Sequence, residues 1–253
     1  MKNIYLKIGA AVSFVIMITV NALANILPIN NQTTGGVSDA YGNLFAPAGI
    51  TFSIWGLIYL LLLGYTIYQF VVKNKEDLIR KINVYFIISS LANAAWIFAW
   101  HYEQIVLTVL LMAVLLVCLI KIANILRTEK LTLLEGSFLS VPFSVYFGWI
   151  TVATIANLTV FLVSLNWNGF GLASAIWTVI ILLIGAAIGI TRALYDKNIS
   201  YILVLIWAFI GILIKHTAST GFSGMYPAVI YTLYICLAAF AGTLIYLAIK
   251  KTK

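Results

Sequence analysis

The chain has 253 residues, 63% of them hydrophobic and 9% charged, with a net charge of +8 and a mean hydropathy of +1.08. Soluble domains carry roughly 25% charged residues, so composition excludes a soluble globular protein and points to an integral membrane one. The basic excess sits in short breaks between apolar runs, a topological pattern that gives no case for nucleic acid as a partner.

The runs are about 20 residues long, the length of membrane helices and not of barrel strands. They predict an all-α polytopic helix bundle of eight spans, over about 6–27, 50–72, 82–101, 104–126, 136–163, 172–192, 199–217 and 226–249. Of the 15 Lys and Arg, all but Lys215 fall at alternate breaks: Lys2 and Lys7, Lys73 to Lys81, Lys121 to Lys130, Arg192 and Lys197, and Lys250 to Lys253. By the positive-inside rule both termini are cytoplasmic, and the expected location is the cell membrane.

The N-terminus carries a second pattern. Its basic start, apolar core and Ala22-Leu23-Ala24 match a signal peptide. Cleavage would leave seven spans with the N-terminus outside, but the apolar run continues to Pro28, which favours a retained span.

The first outer loop, 29–46, is the longest break, rich in Asn, Thr and Gly with Asp39 as its single acid. A loop longer than two neighbouring helices need is either a lid or a flexible connector. Asn31-Gln32-Thr33 matches a glycosylation acceptor, a motif common by chance. Cys118 and Cys236 lie inside apolar runs without metal-ligand spacing and read as small buried hydrophobes. In the sixth span Gly185 and Gly189 form a GxxxG pattern, which suits close packing within the bundle and leaves a homodimer open. Lys215 near the outer end of the seventh span reads as a snorkelling lysine before a Schiff-base one.

Candidate binding residues emerge from depth, counted at about 1.5 Å per residue. Asn21 and Asn25 share a face near the outer end of the first span. Trp55 and Tyr59, four residues apart, share a face of the second; Trp55 is roughly 8 Å down. Asn93, Trp96 and Trp100 follow i, i+3, i+7 on the third, with Asn93 roughly 12 Å deep. Trp149, Ala153 and Asn157 repeat every four residues on the fifth. Interfacial anchoring accounts for Trp100 and Trp167, and isolated asparagines can bond across helices. Neither reading predicts Asn and Trp on shared faces at one level of four helices. An aromatic wall with a few placed polar groups is what a pocket for a flat, mostly apolar ligand requires.

These residues resemble the tryptophan-rich sensory proteins, also called translocator proteins or peripheral benzodiazepine receptors. The family's second helix reads roughly P-x-x-W-x-F-x-P-V-W-x-x-L-Y, against Pro47, Phe52, Ile54, Trp55, Ile58 and Tyr59 here; its third carries N-x-x-W, against Asn93 and Trp96. Its fifth, P-Y-x-x-W-x-x-F-A-T-x-x-N, is similar to the stretch from Trp149 through Ala153 and Thr154 to Asn157, with Pro142 upstream. The resemblance implies a five-helix bundle over about 1–165 with a first-loop lid over a cavity for porphyrins, sterols or similar ligands, lined by Trp55, Asn93, Trp96, Trp149 and Asn157. It leaves 166–253 as three additional spans. The chain departs from the pattern in places. Phe52 is one residue too close to Trp55, Ser53 stands near the expected second proline, and the early tryptophan is missing. Pro142 lies three residues farther from Trp149 than expected, unless Tyr146 takes that tryptophan's place, and no sterol-type pattern follows the fifth span.

The leading expectation is therefore a receptor or carrier for a planar hydrophobic ligand, with lipid as its surroundings and porphyrin or haem as ligand and not cofactor. An alternative is a secondary transporter or permease-like component for an uncharged or amphipathic solute; against ion coupling stands the lack of any Asp or Glu in the middle of a span. An enzyme is not expected. The only histidines, His101 and His216, fall at outer helix edges beside Glu103 and Lys215, where polar loop caps are the plain reading. No metal site is expected.

Overall fold

The structure is a computed structural model that describes residues 2–27 and 29–251, with side chains described for 4–27 and 29–250. Pro28, which ends the first apolar run, and Lys253, counted in the C-terminal break, lie outside the described residues, as do the side chains of Lys2 and Lys251. Among the described residues the protein is all-α, with eight helices long and apolar enough to cross a membrane. The spans are Ile4–Ile26, Gly49–Val71, Glu76–His101, Ile105–Arg127, Leu133–Ser164, Ser174–Asp196, Ile199–Thr217 and Pro227–Lys250. Each coincides with an expected span, with shifts at the ends where capping chemistry is local.

The third span starts several residues before the apolar run because Glu76 and Asp77 occupy its first turn, where carboxylates suit the helix dipole. Asp77 also holds Arg80 at 2.6 Å and Lys81 at 2.7 Å. The fifth span starts early for a similar reason. Thr132 and Glu135 form a reciprocal capping box, and Glu135 also accepts from the Asn74 amide at 3.0 Å. A π turn over Gly136–Ser140 follows, just before Val141 and Pro142. Proline has no N–H to give back along the helix and its ring crowds the carbonyl four residues earlier, so a widened turn is where the helix absorbs it.

The chain divides into two compact units. The first comprises Met1–Val37 and Ile54–Ile150; the second comprises Ser38–Ser53 and Thr151–Lys253. The division between these units falls inside the fifth span, and part of the first loop belongs to each unit. In the first unit the third span packs on the first and the fourth. Its core is aromatic: Phe86 and Phe143 meet at 5.4 Å, and Tyr65 meets them edge-on at 5.4 and 4.7 Å. In the second unit the eighth span packs on the sixth and seventh.

The glycines of the sixth span are used within the second unit. A Cβ on Gly189 would lie 2.3 Å from Leu205 Cδ1, and one on Gly185 would lie 3.1 Å from Ile155 Cδ1. The small-residue face thus seats the seventh span and the fifth-span residue Ile155 of the same chain, as close helix packing in a membrane requires. Cys118 and Cys236 are both buried free thiols.

The stretch after Pro47 does not begin as an α-helix. Gly49–Ser53 is a 3₁₀ turn in the second unit, and the α-helix starts at Ile54. The turn is fastened to the seventh span: Ala48 N–H donates to Gly211 O at 2.9 Å and Trp207 Nε1 donates to Thr51 O at 3.0 Å. Gly211 makes the approach possible, since a Cβ there would stand 2.0 Å from Thr51 Oγ1.

Candidate functional site

In the first unit, asparagines from two helices meet a tyrosine from a third. Asn21 Nδ2 donates to Asn93 Oδ1 at 2.7 Å, and Asn93 Nδ2 donates to the Tyr146 hydroxyl at 3.1 Å. All three are buried, with Tyr146 fully so. In hydrocarbon every polar group must find a partner within the protein, and here first, third and fifth spans supply partners to one another. Asn21 also bonds back to Met17 O at 2.9 Å.

Beside this string lies an aromatic cluster. Trp55 stacks on Tyr59 with ring centroids 5.4 Å apart, as one-turn spacing on a single helix face allows. It meets Tyr146 at 5.9 Å and Trp149 at 6.3 Å, both edge-to-face, the arrangement that ring quadrupoles favour. Trp149 is buried, whereas Trp55 and Tyr59 are half-buried. The cluster contains no Asp, Glu, Lys or Arg.

Trp96 is half-buried and stacks on Trp100 at 5.0 Å. Asn25 is exposed and donates to Asn21 O on its own helix. Asn157 is buried in the second unit, in the half of the fifth span beginning at Thr151. The structure therefore brings Asn21, Trp55, Tyr59, Asn93 and Trp149 together, and adds Tyr146.

The first loop is ordered, not slack. In the first unit Trp100 Nε1 donates to Thr34 O at 3.0 Å, His101 lies 3.1 Å from Thr34 Oγ1 and 3.0 Å from Ile29 O, and Asn30 donates to His101 O. In the second unit His216 Nε2 meets Leu44 O at 2.8 Å, and Lys215 pairs with Asp39 at 3.2 Å. Both histidines thus hold loop backbone, and the lysine at the seventh span's end is an ion-pair partner.

Two features escaped the sequence reading. Deep in the first unit, the Tyr65 hydroxyl donates to Asn83 Oδ1 at 2.5 Å, Asn83 donates to Gln69 Oε1 at 2.8 Å, and Gln69 donates to Lys7 O at 3.3 Å. Tyr65, Gln69 and Asn83 are fully buried; the signal was an amide inside each of two apolar runs. The second feature is a cavity of about 560 Å³ in the second unit, walled by Trp167, Trp177, Phe222 and Tyr226 and reached by Asn43 and Asn168. Its lining contains no charged residue, and much of its polar capacity is spent: Trp177 Nε1 donates to Gly169 O at 2.5 Å, Thr159 to Ile155 O and Thr178 to Ser174 O. Gly169, at φ +62°, admits the tryptophan, since a Cβ there would lie 2.6 Å from Trp177 Nε1. Among the described residues no group of three or more His, Cys, Asp and Glu could hold a metal ion.

No curated protein and no solved structure matches the chain. The family model described as TSPO-like protein matches residues 7–246. That match runs through the eighth span and does not stop after the fifth.

Proposed function

The chain belongs to the TSPO-like protein family, a membrane family of receptor or transporter type, and from that premise we propose that it binds a planar hydrophobic ligand of porphyrin-like shape. The observation that carries this reading is the Trp55 cluster. An uncharged aromatic wall, half-buried at Trp55 and Tyr59, stands beside a buried amide–hydroxyl string. Ring faces supply the area for a flat ligand, and Asn93 and Tyr146 supply orientation. The protein then acts by binding or carriage and not by catalysis, as a multi-pass protein of the cell membrane with both termini cytoplasmic. Asn25 and Trp96, in the same unit, are proposed to complete the residues that meet the ligand. The test is a titration of purified protein with haem and protoporphyrin, followed by tryptophan fluorescence. Saturable quenching weakened in Trp55→Phe and Asn93→Ala supports the site; equal quenching in the variants and the wild type removes it.

A second reading, carriage of an uncharged or amphipathic solute, is favoured by the cavity in the second unit. Its volume falls within the about 300–1,000 Å³ of small-molecule sites, and a lining without charge suits a neutral cargo. Efflux measured in a deletion strain, restored by the wild type and not by a cavity-filling Val163→Trp variant, distinguishes carriage from passive binding.

A further inference from the structure

A groove of about 820 Å³ lies in the second unit between the ends of the sixth and eighth spans. Its lining is mostly apolar or small, from Leu194, Leu247, the Tyr246 ring, Ala239 and Gly242, with Thr243, whose hydroxyl donates to Ala239 O on its own helix. Lys197 and Lys250, at the ends of the two spans, complete the lining. Lys250 Nζ lies 4.9 Å from the centroid of the Tyr246 ring. Lys197, in the left-handed conformation that ends the sixth span, is turned out of the helix. Neither lysine has a carboxylate partner among the described residues, and the nearby Asp196 is engaged by Arg192 at 2.6 Å.

Gly242 is the second observation. A glycine inside an exposed helix costs about 1 kcal/mol relative to alanine, and elsewhere in this unit such glycines admit a neighbour. At Gly242 a Cβ would meet nothing within 4 Å. The notch is thus not explained by packing within the described protein, and it opens onto a groove that pairs an apolar channel with two cations.

We propose that this groove is a site for an anionic phospholipid. The headgroup phosphate lies between Lys197 and Lys250, and one acyl chain runs over Gly242 and Ala239 against Leu247. Both lysines belong to breaks that the charge pattern assigns to the cytoplasmic side, where anionic lipids attract basic groups. The site is independent of the proposed porphyrin-like ligand.

Native mass spectrometry of the full chain in an uncharged detergent tests it, with palmitoyl-oleoyl phosphatidylglycerol, chain-matched phosphatidylcholine and glycerol phosphate as probes. Phosphatidylglycerol is expected to bind about thirtyfold more tightly than phosphatidylcholine, the difference two interfacial lysines supply, and glycerol phosphate only weakly. Lys197→Gln/Lys250→Gln should abolish the preference, and Lys73→Gln/Lys121→Gln should leave it intact. Gly242→Leu, which fills open space, should weaken both lipids, with Gly242→Ala intermediate and the helical circular dichroism unchanged. Equal phosphatidylglycerol binding in wild type and the Lys197/Lys250 variant overturns the proposal. So does equal loss in the Lys73/Lys121 control, or glycerol phosphate binding as tightly as the lipid.

Discussion

Replacing Asn93 tests the candidate site at its centre. The side chain is 2% exposed and joins two partners, accepting from Asn21 at 2.7 Å and donating to Tyr146 at 3.1 Å. Asn93→Ala removes both bonds. Asn21 keeps its bond to Met17 O, but the fully buried Tyr146 hydroxyl loses its only partner among the described residues. Interhelical hydrogen bonds in membranes average about 0.6 and reach about 1.7 kcal/mol, so two lost bonds cost about 1–3 kcal/mol. At roughly 2–4 °C per kcal/mol for a chain of this size, the melting temperature should fall by about 2–12 °C. Thermal unfolding in detergent measures the fall, and an Asn21→Ala/Asn93→Ala cycle should return a coupling of about 0.6–1.7 kcal/mol. Tyr146→Phe, which breaks one bond, should cost less than Asn93→Ala. An Asn93→Ala protein that melts with the wild type, together with zero coupling to Asn21, would refute the string as a structural unit. The aromatic wall would then have no fixed polar neighbour.

The docking of Gly49–Ser53 on the seventh span predicts that Gly211→Ala destabilises by about 1–3 kcal/mol, the usual cost of overpacking, because its Cβ would stand 2.0 Å from Thr51 Oγ1; denaturant unfolding checks it, and unchanged stability removes the contact. The Lys215–Asp39 pair is partly exposed, with Asp39 at 65%, so Asp39→Asn should shift stability by less than about 1 kcal/mol, read from the same curves at low and high salt. Replacing Trp55 by Phe should leave folding intact, since the residue is only half-buried, and reduce protoporphyrin quenching. A larger loss of quenching in Trp167→Phe than in Trp55→Phe would move the ligand to the cavity of the second unit.

The spans were legible because length, apolar content and the placement of Lys and Arg each constrain them independently, and the observed helices fall where those signals coincide. Part of the candidate site was legible too. Depth counting placed Asn21, Trp55, Asn93 and Trp149 at one level, and levels carry over from sequence to structure because helix rise is fixed. What depth counting cannot supply is the partner. In helices that are apolar almost all round, periodicity marks no single buried face, so a lone amide such as Asn83 or Gln69 gives no hint of which helix it meets. Tyr146 was visible only as a possible stand-in for a tryptophan, yet its hydroxyl links the amides and its ring carries the wall. Loops were least legible. Gly42 to Leu44, Trp167 to Gly169 and Phe222 to Tyr226 carry no helical period, yet together they wall a cavity. The same limit explains the chain's organisation. The second span, expected over about 50–72, read as one membrane helix, but its first turn packs on Gly211 in the second unit while the helix from Ile54 belongs to the first. A close approach that depends on one glycine 160 residues away leaves no local trace, so it emerges only when the chain is folded.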